Sequence, residues 1–144
     1  MSTAQSKFAL ERGPHLMPRF DDNGLICAIA QNDETLEIIM VAWMNAHSLA
    51  LTLETGIAHY WSRSRGELWR KGETSGEIQT VRELRIDCDQ DAIVLRVRVG
   101  GDGGCCHVGF KSCFYRAISA NDGTLVQIQD DPASQTLTQS PTQD

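Results

Sequence analysis

The stretch IQTVRELRIDCDQDAIVLRVRV, residues 78–99, decides the fold. Its two halves, IQTVRELRIDC (78–88) and AIVLRVRV (92–99), are rich in β-branched and alternating apolar residues, the pattern of half-buried strands. In an extended strand successive side chains point to opposite faces, so Asp87, Asp89 and Asp91 are expected on one face and Cys88 on the other. Three carboxylates on one face repel unless a cation sits among them, and a set of oxygen ligands alone selects a hard ion such as Mg²⁺. Spaced roughly 6 to 7 Å apart at i, i+2, they meet on one ion only if the strand bends there. A solvated acidic strand end is the other reading of the same residues.

Upstream, LICAIAQ (25–31) and LEIIMVAWM (36–44) also read as strands, joined by NDET (32–35) after a turn at DNG (22–24). The period then changes in MNAHSLALTLETG (44–56). Asn45 suits an N-cap, Leu49 with Leu53 and Ala46 with Ala50 fall at i, i+4, and Gly56 stands where a helix ends. Further strands are expected at IAHYWSRS (57–64) and around CFYRAI (113–118), with a glycine-rich loop GGDGG at 100–104. The expected fold is β-rich α+β, a twisted antiparallel or mixed sheet with one or two short helices. Unpaired sheet edges seek cover, so an intertwined homodimer is expected.

The 144 residues, 41% of them hydrophobic, suit a single domain. The expected division is a polar N-terminal extension at 1–19, one domain at 20–120 and a mobile tail at 121–144, whose end, DPASQTLTQSPTQD, has no apolar periodicity. The formal net charge of −6 argues against a nucleic-acid binder and for a small-molecule partner. The start carries no basic segment followed by an apolar one, and LEIIMVAWM is too short to span a bilayer, so a cytoplasmic protein without membrane contact is expected.

Five cysteines without a secretion signal favour metal binding or catalysis over disulfides. Cys88, Cys106 and Cys113 could hold a borderline ion, for which Zn²⁺ is the usual choice, although neither gap has the spacing of a CxxC knuckle. The other reading is that they are buried small hydrophobes. Three thiolates would leave a tetrahedral ion one position for water, an arrangement that suggests hydrolysis. Cys105 reads as a neighbour of this set and Cys27 as core. A tris-thiolate centre pulls weakly on its water, so nearby groups must assist. His107 titrates in the right range for proton transfer, and a hydrogen-bonded structural histidine is the alternative.

HYWSRSRGELWRKGETSG (59–76) gathers Arg63, Arg65, Arg70 and Lys71 with Tyr60, Trp61, Trp69, Ser62 and Ser64 on an otherwise acidic chain. Guanidinium forks and hydroxyls suit phosphate, and an indole can stack on a purine. A surface hairpin with arginines lying over buried tryptophans is the structural alternative.

Together VAWMN, HYWSRSRGELWRKGETSG, DCDQDA and CHVGFKSCFYR, in this order between about Phe20 and Ile118, resemble the phosphoribosyl-AMP cyclohydrolase family of histidine biosynthesis. The resemblance implies a cytoplasmic homodimer using Zn²⁺ and Mg²⁺. Carried onto this chain, it implies zinc bound by Cys88 of one subunit with Cys106 and Cys113 of the other, and magnesium bound by Asp87, Asp89 and Asp91. It implies hydrolytic opening of the adenine ring of phosphoribosyl-AMP. His107 then takes the proton transfers, with Glu73 as second candidate, and Trp61, Ser62, Arg63, Ser64, Arg65, Trp69, Arg70 and Lys71 take the substrate. Where the family usually has CHTGRRSC, this chain has Val108 and Phe110; Cys105 replaces a common alanine, and Cys27 stands where proline is common. The chain ends without the pyrophosphohydrolase domain that some relatives carry, so the monofunctional form is expected. Two other classes fit less well. A zinc deaminase would show H-x-E with P-C-x-x-C, absent here, and a zinc-stabilised nucleotide-binding module would need a closed four-ligand site.

Overall fold

A computed structural model of the chain describes residues 3–101, 103–106 and 108–130. Its elements run α1 (Thr3–Arg12), β1 (Ile26–Asn32), β2 (Ile38–Met44), α2 (Ala46–Thr55), β3 (His59–Ser62), β4 (Glu67–Arg70), β5 (Gln79–Ile86), β6 (Ala92–Val99), β7 (Arg116–Ile118) and β8 (Leu125–Gln127). The fold is the expected β-rich α+β arrangement. Four strands form the main sheet in the order β2-β1-β6-β5, with two-stranded ribbons β3-β4 and β7-β8. Pairing is antiparallel except between β1 and β6, which run parallel with Cys27 opposite Ala92 and Asn32 opposite Val97. The sheet is therefore mixed.

Alternation places the core. Ile26, Ala28 and Ala30 of β1 and Ile93, Leu95 and Val97 of β6 are buried, joined by Met40, Ala42 and Met44 of β2. Leu49 of α2 and Tyr60 of β3 complete this cluster, so α2 and the β3-β4 ribbon cover this face of the sheet. Each large apolar side chain removed from water there contributes about 1.5–3 kcal/mol. One buried polar pair is satisfied: the Tyr60 hydroxyl donates to Gln79 Oε1 at 2.6 Å.

α2 forms where its caps predict. The Asn45 side chain accepts from Ser48 N, the Ser48 hydroxyl accepts from Asn45 N, and Gly56 adopts the left-handed conformation at φ 73° that ends a helix. Gly72, at φ 83°, cannot be replaced without a collision, because a Cβ there would lie 2.3 Å from the backbone of Glu77 and Ile78.

Three features differ from the sequence reading. The strand expected to run through Asp87 stops at Ile86, and 87–91 form a turn back into β6. The ELWR segment is a strand, β4, paired with β3 across a turn at Gly66. The expected extension and tail carry α1 and β8, and Ile128 N donates to Tyr115 O at 2.8 Å to close the terminal ribbon.

Candidate functional site

The carboxylates meet because the chain turns, not because a strand bends. Gln90 takes a left-handed conformation at φ 59° and donates its N–H to Asp87 O at 3.0 Å, which reverses the chain within five residues. Asp87 Oδ1 then accepts from Asp91 N at 2.9 Å and Ala92 N at 3.1 Å. Ligand oxygens of Asp87, Asp89 and Asp91 lie within 4.8 Å of one another, and no other trio of potential ligands among the described residues is drawn so close. The cost of this crowding is visible in the acidities. Hydrogen bonds that the protonated Asp91 carboxyl donates to Asp89 and then to Asp87 push it up to about 6. Slight desolvation raises Asp87, but the backbone N–H groups of Asp91 and Ala92 outweigh it and hold that carboxyl below its ordinary value. Oxygen donors this close and mutually repelling fit a hard divalent cation such as Mg²⁺.

An open cleft of about 880 Å³ lies between the edge of β2 and the β3-β4 ribbon. Six of the eight residues expected to take substrate line it: Trp61, Ser62, Arg63, Ser64, Arg65 and Trp69. The tight β3-β4 reversal produces this, since Gly66 N donates to Ser62 O and the Ser62 hydroxyl accepts from both Arg65 N and Arg65 Nε. Trp43 is expected in a strand and belongs to the VAWMN motif but is not among the expected substrate residues, yet its ring lies under Arg63, whose guanidinium carbon is 4.6 Å from the ring centroid. Trp43 also lines a second cavity of about 400 Å³ with Arg19, Cys27 and Asp91. One indole thus separates the arginine cleft from the carboxylate turn. Cys27, read as core, is half-buried there instead, and burial first and Asp91 second push its thiol up.

The remaining two basic residues go elsewhere. Arg70 is exposed opposite His59 at the base of the ribbon. The Lys71 charge acts on the thiols of Cys105, Cys106 and Cys113. Glu73 is exposed in the following loop, its N–H donating to Arg70 O at 3.1 Å.

The thiols gather around Cys113, which interacts with both Cys105 and Cys106. Cys113 N donates to Ile39 O at 2.7 Å, fixing the loop to the start of β2. Cys105, read as a bystander, is the most acidic of the three. The hydrogen bond from Cys113 holds its pKa below the ordinary thiol value against burial, aided by the Lys71 charge and the Gln79 amide. The same hydrogen bond and burial push Cys113 up, and burial raises Cys106. Soft thiolate donors suit Zn²⁺. Phe110 is 6% exposed and stacks on Tyr115 with centroids 3.8 Å apart, so this departure from the family pattern fills core space here. His107 lies outside the described residues.

Cys88 does not join them. It sits exposed in the carboxylate turn, at the end of the sheet where β6 begins, while Gln79 and Ile39 hold Cys105 and Cys113 at the end where β6 stops. The eight residues of β6 span roughly 25 Å at 3.3 Å per residue, far beyond a shared Zn–S reach of about 2.3 Å.

Fold and site together define a small α+β protein with an arginine- and indole-lined cleft beside a carboxylate turn. The family model for phosphoribosyl-AMP cyclohydrolase matches residues 40–115. The chain is 64% identical over 124 residues to the phosphoribosyl-AMP cyclohydrolase of a Caulobacter species, covering 86% of this chain and 91% of that one. It is 60% identical over 119 residues to the Brucella anthropi protein of the same name, covering 83% and 84%. The chain belongs to the phosphoribosyl-AMP cyclohydrolase family and is a hydrolase.

Proposed function

We propose that the protein hydrolyses the N1–C6 bond of the adenine ring of 1-(5-phosphoribosyl)-AMP, the third step of L-histidine biosynthesis, in a site built by two copies of the chain. The observation that carries this reading is the grouping at one end of the sheet: the cleft lined by Arg63, Arg65, Trp61 and Trp69, and the Asp87–Asp91 turn across Trp43 from it. A nucleotide with phosphates at both ends matches such a place. Arginines and serine hydroxyls take phosphate, the indoles stack on the purine, and Mg²⁺ at Asp87, Asp89 and Asp91 neutralises further charge.

The ribosyl group on N1 drains electron density from C6. Water adds there, its oxygen bonding to C6 and one proton passing to the exocyclic nitrogen. The N1–C6 bond then breaks, N1 takes the second proton, and the water oxygen becomes the carboxamide oxygen. Zn²⁺ held by Cys88 of one copy with Cys106 and Cys113 of another would supply a water of lowered pKa. The separation of Cys88 from the other thiols along β6 supports sharing between copies in a homodimer. His107 carries the protons, with Glu73 the second candidate, and the Lys71 charge favours the thiolate form of the neighbouring cysteines.

Ultraviolet absorbance with phosphoribosyl-AMP, read beside metal content, tests the reading. Ring opening by wild type and its loss in a zinc-free Cys106→Ala protein are expected. Tight binding without ring opening would instead make the protein a nucleotide-binding module, and ring opening by zinc-free Cys106→Ala would remove zinc from the mechanism.

A further inference from the structure

Gln90 stands in the middle of the carboxylate turn, yet its side chain serves the N-terminal segment. Its Oε1 accepts from Met17 N at 2.6 Å, and its Nε2 donates to Leu10 O at 2.8 Å and His15 O at 3.3 Å. Its carbonyl accepts from Arg19 N at 2.7 Å. The residue is 4% exposed and every polar group of the amide end is used. These bonds fasten the end of α1 and the residues after it to the turn. Phe8 of α1, by contrast, is 62% exposed.

The backbone conformation of Gln90 makes this more than an anchor. A left-handed φ of 59° is one that glycine or asparagine adopts at lower cost, so a buried glutamine there is explained by its side chain. The same residue sets the turn that lets Asp87 Oδ1 accept from Asp91 N and Ala92 N. Arg19, the last residue fastened, lines the cavity that Asp91 also lines. Movement of the strap therefore moves the backbone on which two of the three carboxylates stand.

We propose that residues 10–19 form a strap that sets the geometry of Asp87, Asp89 and Asp91 through Gln90, which makes Gln90 a positioning residue for the divalent cation those carboxylates take. The inference rests on the magnesium reading of that turn. The N-terminal extension thereby acquires a role in ion binding, since an ordered strap holds the carboxylates in the arrangement that accepts the ion and a released strap loosens it. Outer partners of metal ligands commonly influence affinity about 10- to 100-fold.

The test uses the zinc-loaded full-length chain and titrates Mg²⁺ calorimetrically into wild type, Gln90→Gly and Gln90→Asn, alongside amide hydrogen exchange and metal-free melting. Both replacements tolerate the left-handed backbone, so the turn itself is not broken, and neither reaches the strap. Expected are Mg²⁺ dissociation constants weakened about tenfold or more, fast exchange at Met17, whose N–H the Gln90 side chain accepts, and a melting midpoint near wild type. Fast exchange at the Met17 amide with unchanged Mg²⁺ affinity would overturn the proposal, as would lowered melting with unchanged affinity. Wild type that takes up no Mg²⁺ would remove the metal reading itself and this inference with it, a result visible before either variant is compared.

Discussion

Gln79 Nε2 donates to Cys105 Sγ at 3.6 Å, with both side chains buried. The same amide accepts the Tyr60 hydroxyl through its oxygen, so one glutamine couples the core to the thiol cluster. Gln79→Leu leaves the Tyr60 hydroxyl without its partner in the core, a cost of about 1–3 kcal/mol in urea unfolding. It also removes one of the groups that favour the Cys105 thiolate, so thiolate ultraviolet absorbance in the metal-free protein should appear at higher pH. An unshifted thiol titration would break the link.

Asp91 gives a pH signature. Its folded carboxyl titrates at about 6, above its ordinary value of 3.8, so between those values the folded chain binds more protons than the unfolded chain. The sign follows: this group's contribution is fully present below pH 3.8 and is lost as pH rises through about 6. Asp87, held below its ordinary value, acts in the opposite sense, its contribution lost as pH falls below the usual carboxylate range. Melting of the metal-free protein should show the Asp91 component, which Asp91→Asn abolishes and saturating Mg²⁺ suppresses. A pH profile identical in wild type and variant would contradict it.

Arg63 is the cleft cation with the clearest support, resting on Trp43 with no carboxylate within 4 Å among the described residues. Arg65, by contrast, is already engaged by Glu67 at 3.4 Å. Arg63→Ala should therefore lower kcat/KM for phosphoribosyl-AMP more than Arg65→Ala, by roughly 10- to 100-fold for a lost charge-assisted contact. Steady-state kinetics decide, and the reverse order would misplace the phosphate.

Cys88→Ala and Cys113→Ala should each be inactive alone and partly active when mixed, because a mixed pair retains one complete set of thiols. Activity after unfolding and refolding the two together, with exchange checked by mass spectrometry, measures this. Silence in a proven mixed assembly would count against shared ligation.

What the sequence disclosed, and what it withheld, follows contact range. α2 was legible because Asn45, Ser48 and Gly56 write its ends locally. The strands of the main sheet were legible from alternation that burial repeats, as at Ile93, Leu95 and Val97. β4 was missed because GELWR has only four paired residues amid charge. α1 was missed because it is tied down by Gln90, a residue 80 positions from Leu10. The aspartates were grouped correctly by spacing but placed on a strand, since nothing local announces a left-handed glutamine. Trp43 and Cys105 reach the site only through tertiary neighbours, Arg63 in one case and Cys113 in the other.

The parallel pairing of β1 with β6 joins Cys27 to Ala92 across most of the domain. Hairpins β1-β2 and β5-β6 can each close early, because their partners are near in sequence, whereas bringing them together requires a long and entropically costly loop. Trp43 arrives with the first hairpin and the carboxylate turn with the second. Until the two dock, the chain has no place where cleft and carboxylates are neighbours, so assembly of this end of the molecule is cooperative in time as well as in space. A folding intermediate of either hairpin alone is predisposed to be catalytically silent.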